Sequence, residues 1–285
     1  MKRRPFAFRC ISVTLLVLLI IGLCACGIRR DAEVVNPLDA GAYDAEGNFI
    51  QLAWYPNAKM NSLDDADWSK ENGFMEYHGN DYRTYPAIDV SSNQDVINWT
   101  EVKNEGIEYA IMRVGYRTYG SGVIKSDELC YWNLKQAKAA GLKVGVYFFT
   151  QAINEEEAEE EAQYVLDQIQ PFQLDLPIYY DTEEINYDTA RTDNLSGEEL
   201  TRNALAFCRY IENAGYTPGI YGNQMWLCNK LDLMELEQYD IWLAKYAEEL
   251  NFPYEISGWQ FSSEGRIDGI PTAVDLDVII EKNKN

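Results

Sequence analysis

Histidine is almost absent from this 285-residue chain, which has His78 alone. A cage of imidazoles around zinc needs two or three, so that kind of metal site is excluded. A serine or cysteine nucleophile would lack a histidine base unless His78 served, and His78 precedes the periodic part of the chain, where a surface position is expected. Positive charge is scarce too. Lys and Arg number 24 against 46 Asp and Glu, a formal charge of −22. A surface of that sign repels phosphate, so no nucleic-acid partner is expected. Beyond residue 26 only Cys130, Cys208 and Cys228 remain, an odd number without Cys-x-x-Cys spacing. That argues against a disulfide framework and a thiolate metal site, and leaves buried thiols with room for one bridge. No metal and no cofactor is expected. Proton chemistry, if there is any, falls to carboxylates.

The start of the chain reads as an address. Lys2, Arg3, Arg4 and Arg9 precede an apolar run of 13 residues from Ile11 to Leu23. That is the length of a signal-peptide core and short of the ~20 residues of a spanning helix. The run ends Leu-Cys-Ala-Cys-Gly at 23–27, which resembles the lipobox of bacterial lipoproteins and points to Cys26 as the lipidated residue. The other reading is an uncleaved anchor over 10–28. Both put the basic end inside and the rest outside. The expected divisions are a signal peptide at 1–25, a tether or collar at 26–84 and a barrel domain at 85–285. The segment before residue 84 is rich in Asp, Asn, Gly and Ala, yet it carries Trp54, Tyr55, Trp68, Phe74 and Tyr77. Flexible linker and packed collar both fit.

From residue 85 strands alternate with helices. Strands are predicted at 86–91, 109–114, 143–150, 176–181, 218–222, 240–245, 257–261 and 274–279. Helices are predicted at 99–105, 126–140, 154–169, 196–214 and around 223–238. Asn154 caps one helix, Ser196 with Glu199 forms a capping box on another, and Gly106, Gly141 and Gly215 are stop signals. The acids at 155–157 and 159–161 read as the solvated face of a helix whose apolar stripe is Ala158, Ala162, Leu166 and Ile169. Strand-helix alternation predicts an α/β fold with parallel pairing: a trimmed TIM-like barrel of five β/α units followed by three strands. An open nucleotide-binding sheet would need a glycine-rich first turn, and residues 91–95 read Ser-Ser-Asn-Gln-Asp.

Strand ends at the mouth of a parallel barrel carry its chemistry. Here they give Asp89, Arg113, Tyr147, Asp181 with Glu183, Tyr221, Lys245, Gln260 and Asp275. Acids fall on strands one, four and eight. Asp181 and Glu183 share one face of an extended segment with Cα atoms ~6.8 Å apart. Two close carboxylates resist joint ionisation, and a protonated acid beside an ionised one suits glycosidic cleavage. Aromatic rings around the pair, Tyr147, Tyr179, Tyr180, Tyr221, Trp242 and Trp259, suit sugar faces, with at least half of them expected in the core.

Residues 85–280 resemble the glycoside hydrolase family 25 lysozymes, the Chalaropsis-type N-acetylmuramidases. The matching segments include Ala-Ile-Asp-Val-Ser at 87–91, Ile-Met-Arg-Val-Gly at 111–115, Leu-Pro-Ile-Tyr-Tyr-Asp-Thr-Glu at 176–183, Trp-Gln-Phe-Ser at 259–262 and Val-Asp-Leu-Asp at 274–277, in the family's order. The resemblance implies a peptidoglycan hydrolase cutting the β-1,4 bond from N-acetylmuramic acid to N-acetylglucosamine. It implies Glu183 as general acid, with Asp181, Asp89 and Asp275 as the other catalytic carboxylates. Arg113, Tyr147, Tyr179, Tyr221, Lys245, Trp259 and Gln260 are the substrate-binding candidates. Three positions depart from the family pattern: Asn93 for an aromatic, Phe148 for a histidine and Asp277 for an asparagine.

Spacing alone assigns no nucleophile. Net retention through the substrate's own 2-acetamido group is expected. The expected partners are peptidoglycan strands and, through the anchor, the outer face of a bacterial membrane of Gram-positive type. The protein is expected to act as a monomer. A non-catalytic wall binder and a chitinase-like hydrolase are the competing readings.

Overall fold

The computed structural model describes residues 41–43, 49–185 and 189–283. The apolar start and Cys26 lie outside the described residues, and with them the signal-peptide and lipidation expectations. Among the described residues no helix is long and apolar enough to cross a membrane.

Two short antiparallel pairs come first: β1 (Gly41–Tyr43) with β2 (Phe49–Gln51), and β3 (Trp68–Glu71) with β4 (Phe74–Tyr77). Eight strands then close a barrel. They are β5 (Tyr82–Val90), β6 (Tyr109–Arg117) with its hairpin partner β7 (Ile124–Ser126), β8 (Lys143–Phe149), β9 (Ile178–Asp181), β10 (Pro218–Asn223), β11 (Asp240–Ala244), β12 (Gly258–Gly265) and β13 (Val274–Lys282). Helices α1 (Trp99–Asn104), α2 (Cys130–Ala139), α3 (Glu155–Ile169), α4 (Gly197–Asn213), α5 (Gln224–Asn229) and α6 (Leu233–Leu236) follow the first five barrel strands. This is the trimmed TIM-like barrel.

Two elements differ from expectation. Pairing is parallel from β5 round to β12, but β13 runs antiparallel to both β12 and β5. A short connection from β12 permits only a hairpin-like return, because a parallel crossover needs a dozen or more residues. Asp275 therefore reaches the mouth from the start of its strand, where it pairs in register with Asp89. The predicted helix at 126–140 begins at Cys130, because Ile124–Ser126 extends the sheet beside β6.

The helix signals act locally as the side chains require. Asn154 Oδ1 accepts from Glu157 N at 2.9 Å, and Ser196 and Glu199 cap each other reciprocally. Gly141 and Gly215 take φ of 87° and 86° just past α2 and α4, a conformation that costs other residues a Cβ clash. The solvated-face reading of α3 fails at Glu161. That side chain is fully buried, held by Arg117 Nε at 2.7 Å and Thr150 Oγ1 at 2.6 Å.

Alternation divides the strand residues between two cores. Ile88, Met112, Val146, Phe148, Tyr180 and Ile220 face outward toward the helices. Tyr109, Ile111, Tyr179, Tyr221, Trp242 and Ile279 point inward. Trp242 is the centre of this plug, with Tyr221, Tyr179 and Tyr147 ring centroids at 4.4, 5.1 and 5.9 Å.

Among the described residues no helix follows β11, β12 or β13, so their outer face needs another cover. The segment before the barrel supplies it. Trp68 packs edge-on against Trp259 at 5.3 Å and Phe74 against Phe261 at 6.3 Å. Leu52, Leu63, Met75 and Tyr77 are buried in the same apolar cluster. Tyr55 Oη donates to the Cys228 and Leu231 carbonyls, and Asn61 Nδ2 to that of Phe252. His78 sits on this collar about half exposed, 2.7 Å from Ser69 Oγ. Cys130, Cys208 and Cys228 are buried and unbridged.

Candidate active site

The ends of the strands place five carboxyl groups above the aromatic plug. Asp89 and Asp181 stand at the ends of β5 and β9, and Glu183 follows two residues on. Asp275 and Asp277 share the inward face of β13. Asp89, Asp181 and Asp277 are buried, while Glu183 is half-buried at the rim. Beside them opens a cleft of about 480 Å³ whose walls include Arg113, Tyr147, Asp181, Glu183, Asn93 and Tyr116.

Burial raises the proton affinity of every one of these acids, because a carboxylate loses its hydration there. Asp181 is pushed well above the usual carboxylate range by burial and then by the charge of Glu183. Glu183 is raised by burial, an effect partly offset by a hydrogen bond with Asp181. Asp275 is raised by burial to about 6. Asp181 Oδ1 is buried with no donor aimed at it. Asp181 and Glu183 lie within hydrogen-bonding reach of each other, and that bond raises Asp181 and lowers Glu183, so the two titrate as a pair. Arg113 opposes the trend at Asp181, favouring the charged form. Arg113 is itself fixed by Asp127, with Nε at 3.0 Å and Nη2 at 2.9 Å from Oδ2.

Several candidates meet at this mouth. Tyr221 Oη donates to Gln260 Oε1 at 2.8 Å, and Gln260 Nε2 donates to Asp89 Oδ2 at 2.6 Å. Tyr147 and Arg113 line the cleft. Three others do not reach it. Trp259 points outward, fully buried beneath the collar, with Nε1 donating to the Lys245 carbonyl at 2.7 Å. Lys245 also points outward and donates to the Leu250 carbonyl at 2.6 Å. Tyr179 is buried within the plug beside Trp242. As substrate contacts these three are corrected. Phe148, at the departure from a family histidine, packs on Tyr164 on the outer face.

The sequence reading passed over Tyr246. Its ring is 60% exposed, and its hydroxyl donates to Gln260 Oε1 at 3.0 Å. It lies two residues beyond inward-facing Ala244, so strand alternation from Trp242 would have found it. Tyr116, Tyr119 and Phe149 also line the cleft; the first two lie past the predicted strand end at 114, and Phe149 lies two residues beyond Tyr147.

Residues 88–270 match the sequence profile of the glycosyl hydrolases family 25. The chain belongs to this family. It is 26% identical over 196 residues to the autolytic lysozyme of Clostridium acetobutylicum, covering 68% of this chain and 56% of that protein. It thus spans about half the length of that relative. Among solved structures it resembles the modular autolysin LytC of Streptococcus pneumoniae, there in complex with a synthetic peptidoglycan ligand, with TM-score 0.63 and 24% identity, covering 84% of this chain and 56% of that one. It also resembles the lysozyme of Streptomyces coelicolor, with TM-score 0.57 and 23% identity over 70% of this chain and 93% of that one. At these identities the two structures bear on the fold alone.

Proposed function

We propose that this protein is a peptidoglycan hydrolase that cuts the β-1,4 bond between N-acetylmuramic acid and N-acetylglucosamine. The observation that carries this reading is the adjacent Asp181–Glu183 carboxyl pair lining the cleft, in a chain of this family. Glu183 is the half-buried member and faces the cleft, so it gives the proton to the leaving glycosidic oxygen. Asp181 is then left ionised beneath it, a state that Arg113 favours. It accepts from the N–H of the sugar's 2-acetamido group and turns the acetamide oxygen toward the anomeric carbon. That oxygen displaces the leaving group and forms a cyclic intermediate. Water opens the ring from the vacated side, returning its proton to Glu183, and configuration is retained. Asp89 and Asp275 hold the sugar and the pair in place, and Arg113, Tyr147, Tyr221 and Gln260 complete the walls. The enzyme acts outside the cell membrane as a lipid-anchored monomer, with Cys26 as the attachment site.

The test is turbidity loss of purified walls, with mass spectrometry of the new reducing ends. Muramic acid ends are expected. Glucosamine ends would indicate a chitinase-like specificity, and no new ends a wall binder. Glu183→Gln should lower turnover at least ~10²-fold, the smallest contribution typical of a general acid. More than about a tenth of wild-type activity in that variant would refute the assignment.

A further inference from the structure

A second carboxyl pair lies under the first. Asp277 is wholly buried on the inward face of β13. From β11, Trp242 Nε1 donates to its Oδ1 at 2.8 Å. From β5, the Asp89 carboxyl lies within hydrogen-bonding reach. From β12, Gln260 is its register partner and donates not to Asp277 but to Asp89 Oδ2 at 2.6 Å. Asp275 approaches along the same strand and the Tyr179 hydroxyl from β9. Among the described residues the charged group that acts on Asp277 is another acid, Asp275.

Donor counting leaves one atom unsatisfied. An indole N–H and a carboxamide N–H can only donate, so Asp277 Oδ1 and Asp89 Oδ2 both accept. In this orientation of the Gln260 amide the hydroxyls of Tyr221 and Tyr246 both donate to its Oε1. Asp277 Oδ2 is buried without a hydrogen bond, the nearby Asp89 main-chain N–H included. Two facing carboxylates with no cation would repel each other in a medium that screens them poorly. A single proton between them removes both the repulsion and the orphan atom.

We propose that Asp277 and Asp89 share a single proton, and that Asp277 is thereby a positioning residue that orients Asp89 at the floor of the mouth. Burial favours the protonated form of both acids, and their mutual hydrogen bond raises Asp89 and lowers Asp277. Only the rate arm of the test below rests on the hydrolase reading.

The sign of the pH dependence follows by linkage. An acid whose proton affinity is higher folded than unfolded takes up a proton on folding. Its stability contribution is full below the unfolded pKa and is lost as pH rises toward the folded one. Asp277→Asn keeps an acceptor for Trp242 and a donor for Asp89 and has no proton to lose. Thermal unfolding of the full chain should therefore show the variant gaining on wild type as pH rises. Between about pH 5 and 8 the Tm difference should grow by ~2–4 °C or more. The alkaline limb of the kcat/KM profile on walls should move to higher pH in the variant. A Tm difference that stays constant with pH overturns the proposal, as does an unmoved limb in an active enzyme. A growing Tm difference with no wall cleavage at any pH sinks the hydrolase reading and leaves this one standing. Should Asp277→Asn fail to fold, infrared spectra of Asp181→Asn carrying 13C-labelled aspartate decide at pH 8, where Asp275 is ionised and the glutamates are unlabelled: a labelled carboxylic-acid C=O band supports the proposal and its absence refutes it.

Discussion

Phe74 tests whether the collar belongs to the folded unit. Its ring is 7% exposed and packs on Phe261 at the outer face of β12. Removing a buried phenylalanine typically costs ~3–5 kcal/mol, transfer and cavity together. Because Phe74 sits on a two-stranded hairpin at the edge of the molecule, its surroundings can partly collapse, which puts Phe74→Ala near ~3 kcal/mol. For a domain of this size each kcal/mol moves Tm by ~2–4 °C, so a fall of ~6–12 °C is expected. Urea denaturation followed by tryptophan fluorescence gives the free energy directly, since Trp68 and Trp259 are in edge contact beside the site. Val96→Ala, at a position 62% exposed, is the control and should stay within ~0.5 kcal/mol of wild type. If Phe74→Ala matched that control, the hairpin would be contributing nothing to the cooperative unit. The account of how β12 and β13 are shielded would then be wrong.

Two further outcomes follow from buried groups. Arg117→Met leaves Glu161, otherwise held by Arg117 and Thr150, without its cation, at a cost of ~3–5 kcal/mol at neutral pH. Glu161 is already raised by burial to about 7, so acidification should restore part of that loss, and urea midpoints at two pH values would reveal it. Burial pushes the Cys130 thiol up to about 12 and that of Cys208 well above the usual range. A chromogenic thiol reagent should therefore label Cys130, Cys208 and Cys228 far more slowly in native than in denatured protein, and prompt native labelling would contradict their burial.

Much of this was legible because it is local. The Asn154 cap and the Ser196–Glu199 box depend on residues three apart, and the strand-end acids follow from period two along a strand. The errors are also errors of period. Lys245 and Trp259 are predicted at the mouth, but Trp242 and Gln260 face inward and set the opposite parity for their neighbours; a shift of one residue changes the face. Glu161 lies three residues past Ala158 and four before Val165, squarely on the buried stripe of α3. Charge suggested solvent, and only the arrival of Arg117, 44 residues away in sequence, makes burial tolerable. The collar was open between two readings because its aromatic residues have no periodicity. They fit the barrel through the missing helices of β11 to β13, and that gap is a property of the whole topology.

The reversed direction of β13 has a mechanical consequence. Its ladder with β5 runs from Tyr82 opposite Lys282 at the base to Asp89 opposite Asp275 at the mouth. Beyond the base, Asn283 still bonds back to Asn80 and Asp81. The barrel's entry and exit therefore leave side by side from the end remote from the acids. A force drawing those two ends apart opens the ladder as a zipper, one rung at a time, and the rung that unites Asp89 with Asp275 is the last to part.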